Sequence, residues 1–323
     1  MLGRTIKNRS LGLSLAILLL LVFLPLFVIK FYTYLTGLIL VTALLAMSLN
    51  LVVGYGGIYQ FHHAVFYGVG AYCFGLIQAK TSLPAWVAFS AGPVLAALAG
   101  LLIGWFCVRL TKLYFAMLQI SLGSLVWAIA FRWYRLTGGD DGIHGIPVPE
   151  LLDSVSNSYY FILLVMVACL VLMYVIIESP FGATLQAIRD NPDRCEAVGI
   201  NVRQHQLMAI VIASFFAGVA GVLFVVLERS VFPDLLFWIL SLEIFIMCLL
   251  GGWFTFAGPI LGAAITVSLR TFVGTYTEYW TLILGVILIL LIFFLPEGVM
   301  GFLSKKLHLG EEEIVQGEVD AEG

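Results

Sequence analysis

The residues able to do chemistry in this 323-residue chain are few and widely spaced. Glu243 lies deep in the apolar run Phe237-Trp238-Ile239-Leu240-Ser241-Leu242-Glu243-Ile244-Phe245. An ionisable group at such depth in lipid costs roughly 3 kcal/mol or more, so it should face protein and not hydrocarbon. It is either a polar point on a path through the molecule or a structural hydrogen bond to a neighbouring helix. Asn50 poses the same pair of readings, with interhelical glue first. His62 and His63 are adjacent, so on a helix they diverge by about 100° and cannot make the i, i+4 pair that a metal site favours. They read as helix-packing or headgroup residues; His63 stays beside Asn50 and Glu243 as a candidate for lining a path. Cys73, Cys107, Cys169 and Cys248 lie in apolar runs and Cys195 in a polar loop, with no C-x-x-C spacing, so they read as free packing residues. No nucleophile–base pair, metal-ligand set or Gly-x-x-x-x-Gly-Lys-Ser/Thr loop occurs, which argues against an enzyme and implies no cofactor in this chain.

What must position these residues is a membrane-spanning scaffold. Hydrophobic residues make up 62% of the chain and charged residues 11%, more apolar surface than a single water-soluble core can cover. Ten apolar segments follow one another, at about 11–29, 35–53, 58–79, 84–108, 113–134, 158–177, 207–227, 236–251, 258–275 and 280–296. In lipid each must be a helix, because only a helix satisfies its own backbone there. The expected fold is therefore all-α, a polytopic integral membrane protein of about ten transmembrane helices. The segments at 58–79 and 236–251 are short or glycine-rich enough to be tilted, broken or re-entrant. The first has a basic flank (Arg4, Lys7, Arg9) without a small-residue cleavage site and reads as a retained signal anchor.

With both termini inside, ten basic residues fall inside and six outside, as the positive-inside rule expects; Arg132 and Arg135 on the outer side are its main strain. The chain then divides into a cytoplasmic segment 1–10, a membrane domain 11–303 and a cytoplasmic tail 304–323, whose acids (Glu311, Glu312, Glu313, Glu318, Asp320, Glu322) suit a solvated extension. The Lys and Arg are scattered and form no stripe, which excludes nucleic-acid binding. An outer loop at 136–157 is dense in turn formers. An echo links Ser48-Leu49-Asn50 with Ser241-Leu242-Glu243, each preceding a Gly-Gly pair (Gly56-Gly57, Gly251-Gly252) and a small-residue helix. Both copies run in the same direction, as internal repeats of transporters can.

The inner loop, 178–206, is polar yet patterned. Pro180 opens a helix; Phe181, Leu185 and Ile188 recur at three- and four-residue spacing; Asn191-Pro192 ends it. Its apolar stripe can pack on the bundle while Gln186, Arg189 and Asp190 face outward to a partner. The same pattern also suits a helix lying on the lipid surface.

Several motifs, in order, are similar to those of LivM-type permeases of bacterial ABC importers for branched-chain amino acids. They are Leu-Asn-Leu-Val-Val-Gly-Tyr-Gly-Gly at 49–57, His-Ala-Val-Phe-Tyr-Gly-Val-Gly-Ala-Tyr at 63–72, Leu-Tyr-Phe-Ala at 113–116 and Leu-Thr-Gly-Gly-x-x-Gly at 136–142. Further on come Ser-Pro-Phe-Gly…Ala-Ile-Arg-Asp-Asn…Ala-Val-Gly-Ile-Asn-Val at 179–202 and Gly-Gly-x-x-x-x-x-Gly-Pro-x-x-Gly-Ala at 251–263. The chain departs from the family pattern at Tyr59-Gln60-Phe61-His62-His63-Ala64 and at Gln119-Ile120-Ser121, and its outer loop carries Asp140-Asp141 and His144. These departures bear on the substrate, not on the transporter class.

The resemblance implies a bacterial inner-membrane permease that moves branched-chain or other hydrophobic amino acids inward by alternating access, with urea or short-chain amides as the alternative cargo. It implies, besides the lipid bilayer, three kinds of partner: a second, homologous permease, two cytoplasmic ATP-binding subunits and an external solute-binding protein. It also implies that the inner loop docks on the ATPase through Pro180, Phe181, Gly182, Leu185, Ala187, Ile188, Arg189, Asp190, Ala197 and Gly199. A self-sufficient channel or secondary transporter is the rival of a different class; it needs a cluster of ion-binding carboxylates, whereas Glu243 reads as nearly alone. The topology predicts that single cysteines at Asp141 and Gln186, on a cysteine-free background, label with membrane-impermeant maleimide from opposite sides of the membrane. Labelling of both from one side removes the ten-span arrangement.

Overall fold

Hydrocarbon offers no hydrogen bonds, so the backbone must pair with itself, and most of the described residues are helical. The computed structural model describes residues 16–110, 112–294 and 298–302. The basic flank Arg4, Lys7 and Arg9, the lysines 305 and 306 and the acidic tail lie outside the described residues.

Each of the ten apolar segments contains a helix. In chain order these are α1 (Ala16–Phe27), α2 (Lys30–Asn50, extended by a π-turn, Leu51–Tyr55), α3 (Ala64–Lys80), α4 (Ala85–Cys107) and α5 (Lys112–Arg132). A short α6 (Tyr134–Thr137) opens the 136–157 loop and is followed by α7 (Val155–Ile177). The 178–206 loop contains two helices, α8 (Pro180–Asp190) and α9 (Pro192–Ala197). Then come α10 (Val202–Glu228), α11 (Trp238–Gly251), α12 (Gly258–Gly274) and α13 (Trp280–Phe294). Among the described residues five helices, Lys30–Tyr55, Ala85–Cys107, Leu113–Arg132, Val155–Ile177 and Val202–Glu228, are long and apolar enough to cross a bilayer. At about 1.5 Å per residue they match a hydrocarbon core about 30 Å thick.

These five divide by burial. The most apolar window is 83% buried in α2 and 72% in α10, but only 22% in α5, so α2 and α10 form the interior while α5 presents most of its apolar surface outward. A helix apolar on all sides suits either place when the outer medium is lipid. Around α2 and α10 pack α3, α4, α7 and α12, with Leu44, Phe66, Phe74, Tyr159 and Ile162 among the fully buried side chains.

The segment at 58–79 is broken, the form its glycine content allows. Its helix begins only at Ala64, because Gly57 turns left-handed (φ 64°) after the π-turn and the chain turns back into the protein without helical bonds. Residues 232–237, a 3₁₀ turn (Pro233–Leu236) between two extended residues, make a second interruption of α-helix, before α11. The start of α3 meets both the second stretch and α11. The Ala64 amide donates to Ser241 Oγ at 2.9 Å, and Gly68 packs against Leu235 O and the Leu236 side chain. Much of the irregular backbone is thus covered by protein, the condition under which lipid tolerates it.

Glycines set the spacing. A Cβ at Gly221 would overlap the Tyr67 carbonyl, at Gly70 the Gly218 backbone and at Gly262 the Met247 carbonyl, so α3 crosses α10, and α12 crosses α11, backbone against backbone. The echo acquires a physical form here. Ser48 Oγ lies 2.8 Å from His63 Nε2 and Ser241 holds the Ala64 amide, so the equivalent serines of both copies grip the start of α3.

At one end of α7 the 136–157 loop is pinned. β1 (Ile143–His144) pairs antiparallel with β2 (Ser230–Val231), Arg229 donates to Asp153 O at 2.6 Å, and Lys80 Nζ donates to the Arg135 carbonyl at 2.9 Å. Asp141, accepting from Tyr134 Oη at 3.1 Å, raises the pKa of that phenol.

Gly221→Ala should lower stability by about 1–3 kcal/mol, the usual range for overpacking. The unfolding temperature of the detergent-solubilised chain measures this, with Gly285→Ala, where an added Cβ meets nothing within 4 Å, as the unaffected control.

Candidate functional site

The corner from α7 into α8 is set by Ser179, whose hydroxyl donates to Ile176 O at 2.6 Å and caps the Gly182 amide at 3.5 Å, with Pro180 at the first helical position. Gly182 allows the corner, since a Cβ there would overlap the Ile177 carbonyl. Leu185 and Ile188 are buried at 1% and 2%, and Phe181 stacks on His205 with ring centroids 6.0 Å apart. The patterned stripe therefore packs on the protein. Asn191 ends α8 and caps α9 through the Arg194 amide (3.0 Å); Ile188, Cys195 and Val202 then close a small cluster of their own. α9 carries no periodicity of its own, so pattern alone does not separate it from loop. Gly199 has φ 88°, a conformation glycine adopts without strain.

Arg189 does not face outward, which corrects its assignment to the exposed face. Its Nη1 donates to Gly54 O at 2.8 Å, its aliphatic stem covers Gly57, and its guanidinium lies 5.3 Å from the Phe254 ring centroid. Gly54 and Gly57 belong to the first Gly-Gly turn; Phe254 follows the second. One side chain of α8 thus touches both turns of the echo, and the turns touch each other, Asn50 Nδ2 donating to Thr255 O at 3.3 Å. Asn50 is therefore glue between the two copies. The spacing carries the signal: Arg189 lies four residues after Leu185, about 40° round the helix and inside the apolar arc. The exposed face carries Ala183, Ala187 and Asp190, continued by Arg194, Ala197 and Val198; Gln186 is half-buried at its edge. Asp190 pairs with Arg189 at 3.1 Å.

Glu243 is not alone, and this too is a correction. It faces a cavity of about 770 Å³ between α2, α10, α11 and α12, where Arg270 of α12 lies 3.6 Å away. Glu228, which accepts from the Tyr34 hydroxyl, and Asp234 line the same space, with Thr266 and the apolar side chains of Leu38, Phe224 and Met247. Arg270 sits inside the segment 258–275, and its partnership with Glu243 spans a break between helices that no local pattern reports. His63 is buried against Ser48 and does not line this cavity. Neither it nor Asn50 joins Glu243 in one site.

The family of the branched-chain amino acid transport system permease component matches residues 31–292. The high-affinity branched-chain amino acid transport system permease protein LivM of Escherichia coli (strain K12) is 28% identical over 95% of this chain and 78% of its own length. LivM of Salmonella typhimurium is 27% identical over the same shares, and a probable LivM of Methanocaldococcus jannaschii is 23% identical over 64% of this chain and 66% of its own. No solved structure matches.

Removal of the guanidinium should loosen α8 from its seat. Arg189→Ala gives up a charged hydrogen bond worth about 1–3 kcal/mol, while Arg189→Lys keeps the charge without the fork. Limited proteolysis within 178–206 should be fastest for Arg189→Ala and intermediate for Arg189→Lys; equal cutting rates count against the seat.

Proposed function

Since the chain belongs to the branched-chain amino acid transport permease family, we propose that it spans the bacterial inner membrane and carries branched-chain or other hydrophobic amino acids inward. It is a permease component and not an enzyme; ATP is hydrolysed on a separate subunit. The cargo, the partners and the sidedness belong to the proposal. The partners are a second homologous permease, two ATP-binding subunits on the side of α8 and α9, and a solute-binding protein on the side of the 136–157 loop.

The observation that carries the reading is the seat of Arg189. α8 is attached by one face to both Gly-Gly turns and leaves the opposite face, with Ala183 and Ala187, uncovered. A partner that moves α8 therefore pulls on the ends of α2 and α11 together. α11 lines the charged cavity, so its displacement alters the space around Glu243 and Arg270. This is the mechanical requirement of alternating access, in which the work done on one face must open or close a path elsewhere.

Ala187→Asp introduces a carboxylate on the uncovered face, where burial under a partner without a counter-charge costs about 1–3 kcal/mol or more. Solute uptake, binding-protein-stimulated ATP hydrolysis and co-purification of the ATP-binding subunit should all fall while the amount of protein in the membrane is unchanged. If all three stay at wild-type levels, α8 is a helix lying on lipid and the coupling reading fails.

A further inference from the structure

Gln60, His62 and Gln119 are each exposed by 1% or less, and both polar atoms of each side chain lack a protein partner. Native proteins rarely leave buried donors and acceptors unpaired, and a group with this cost is retained where something else meets it. The three belong to one place. The His62 ring lies on Gly123 of α5, where an added Cβ would overlap the imidazole. Gln119 stands one turn before Gly123 on the same buried stripe, and Trp127 one turn after, its Nε1 also without a partner. The Trp127 ring lies 4.9 Å from Phe237, the residue before α11. Gln60 is two residues upstream of His62 in the irregular stretch before α3. The set thus flanks the level at which both broken helices begin, where Ala64 meets Ser241. Discontinuous helices of this kind form solute sites in transporters because their irregular backbone lines a cavity.

We propose that Gln60, His62 and Gln119 form a solute site, closed in this structure, that receives the polar head of the cargo between α5 and residues 58–63. The assignment rests on the transport reading. Each carboxamide offers donors and an acceptor, the imidazole one or both, and no carboxylate, ammonium or guanidinium belongs to the set. The complementary head is compact, both donates and accepts, and carries no net charge. A zwitterionic amino-acid head and a carboxamide or urea share this chemistry; lysine and glutamate add to the same head a side-chain charge for which the set holds no counter-charge. The site opens by displacement of α5, the long span least packed against the chain. Gly123 then has a second role, since it lets His62 close against α5 when the cargo has left.

The complete transporter, reconstituted in proteoliposomes with its binding protein, is supplied with leucine, acetamide, lysine or glutamate. Gln119→Leu should lower uptake per ATP hydrolysed by about tenfold, the value of one neutral hydrogen bond, with an unfolding temperature equal to or above wild type. Gln119→Asn should retain part of the uptake, and Gln60→Leu should resemble Gln119→Leu. Transport of leucine or of acetamide identifies the head group, and neither charged solute should cross. Should Gln119→Leu prevent folding, the thiol of Gln119→Cys should be shielded from maleimide by the transported solute. Wild-type uptake per ATP in both leucine variants, as a site filled only by structural water gives, overturns the proposal. So does equal transport of lysine or glutamate, or an unshielded thiol. A wild-type protein that moves none of the four solutes overturns the transport reading and the site with it; active wild type with indifferent variants overturns the site alone.

Discussion

Backbone hydrogen bonding without water is the constraint on which this structure depends. Two stretches, 58–63 and 232–237, leave the α-helical state inside the apolar bundle, and each unpaired peptide group there is destabilising by several kcal/mol unless protein covers it. The chain meets this by packing α3 on residues 235–236 and tying its start to α2 and α11. Ser241 at the head of α11 holds the first amide of α3, and Ser48 from α2 holds His63, the residue before it. The cover is close enough only because glycine stands wherever a side chain would push the backbones apart, at Gly68, Gly70, Gly218 and Gly221. Packing replaces the hydrophobic effect as the source of cohesion, since lipid tails are as apolar as the helices themselves.

The same economy explains how a short helix outside the bundle can act on it. α8 has three turns, too few to be stable alone, and is held by its capped corner, by Leu185 and Ile188, and by Arg189. Of these, Arg189 reaches the Gly-Gly turns, and it does so through a backbone carbonyl, an aliphatic contact and an aromatic face at once. A point charge on a flexible stem does not reproduce that combination. Because the two turns are also joined by Asn50 and Thr255, they behave as one object under the helix.

Polar groups within the bundle fall into two kinds. Glu243, Arg270, Glu228 and Asp234 share a cavity, where Arg270 pairs with Glu243 and Glu228 accepts from Tyr34. Gln60, His62 and Gln119 are uncharged amides and an imidazole enclosed by protein, and nothing among the described residues satisfies them. They occupy the positions at which the sequence departs from the family motifs, and folding brings those two departures together across 57 residues by way of Gly123. A difference in cargo recognition would be expected to collect in such a place.

Hydropathy alone determined that the chain is a bundle of apolar helices and located all ten segments that contain them, because burial in lipid and burial in protein demand the same composition. The three- and four-residue recurrence of Phe181, Leu185 and Ile188, closed by Asn191-Pro192, determined α8, since a periodic stripe needs only local geometry. The Ser-Leu-x echo with its paired glycines pointed to a repeat whose copies run in parallel. Tertiary structure decided the rest. The break before Ala64 is held by Ser48 and by Ser241, which lies far along the chain, and an apolar run reads alike whether or not its first turn is helical. Arg189 faces inward because two turns 200 residues apart, at Gly54 and Phe254, come together beneath it and offer a carbonyl and a ring. Glu243 has a counter-charge because α12 returns alongside α11 and brings Arg270 to it. Periodicity reports which face of a helix is buried; it carries no information on what lies opposite, and for a charged or polar side chain the group opposite decides its role.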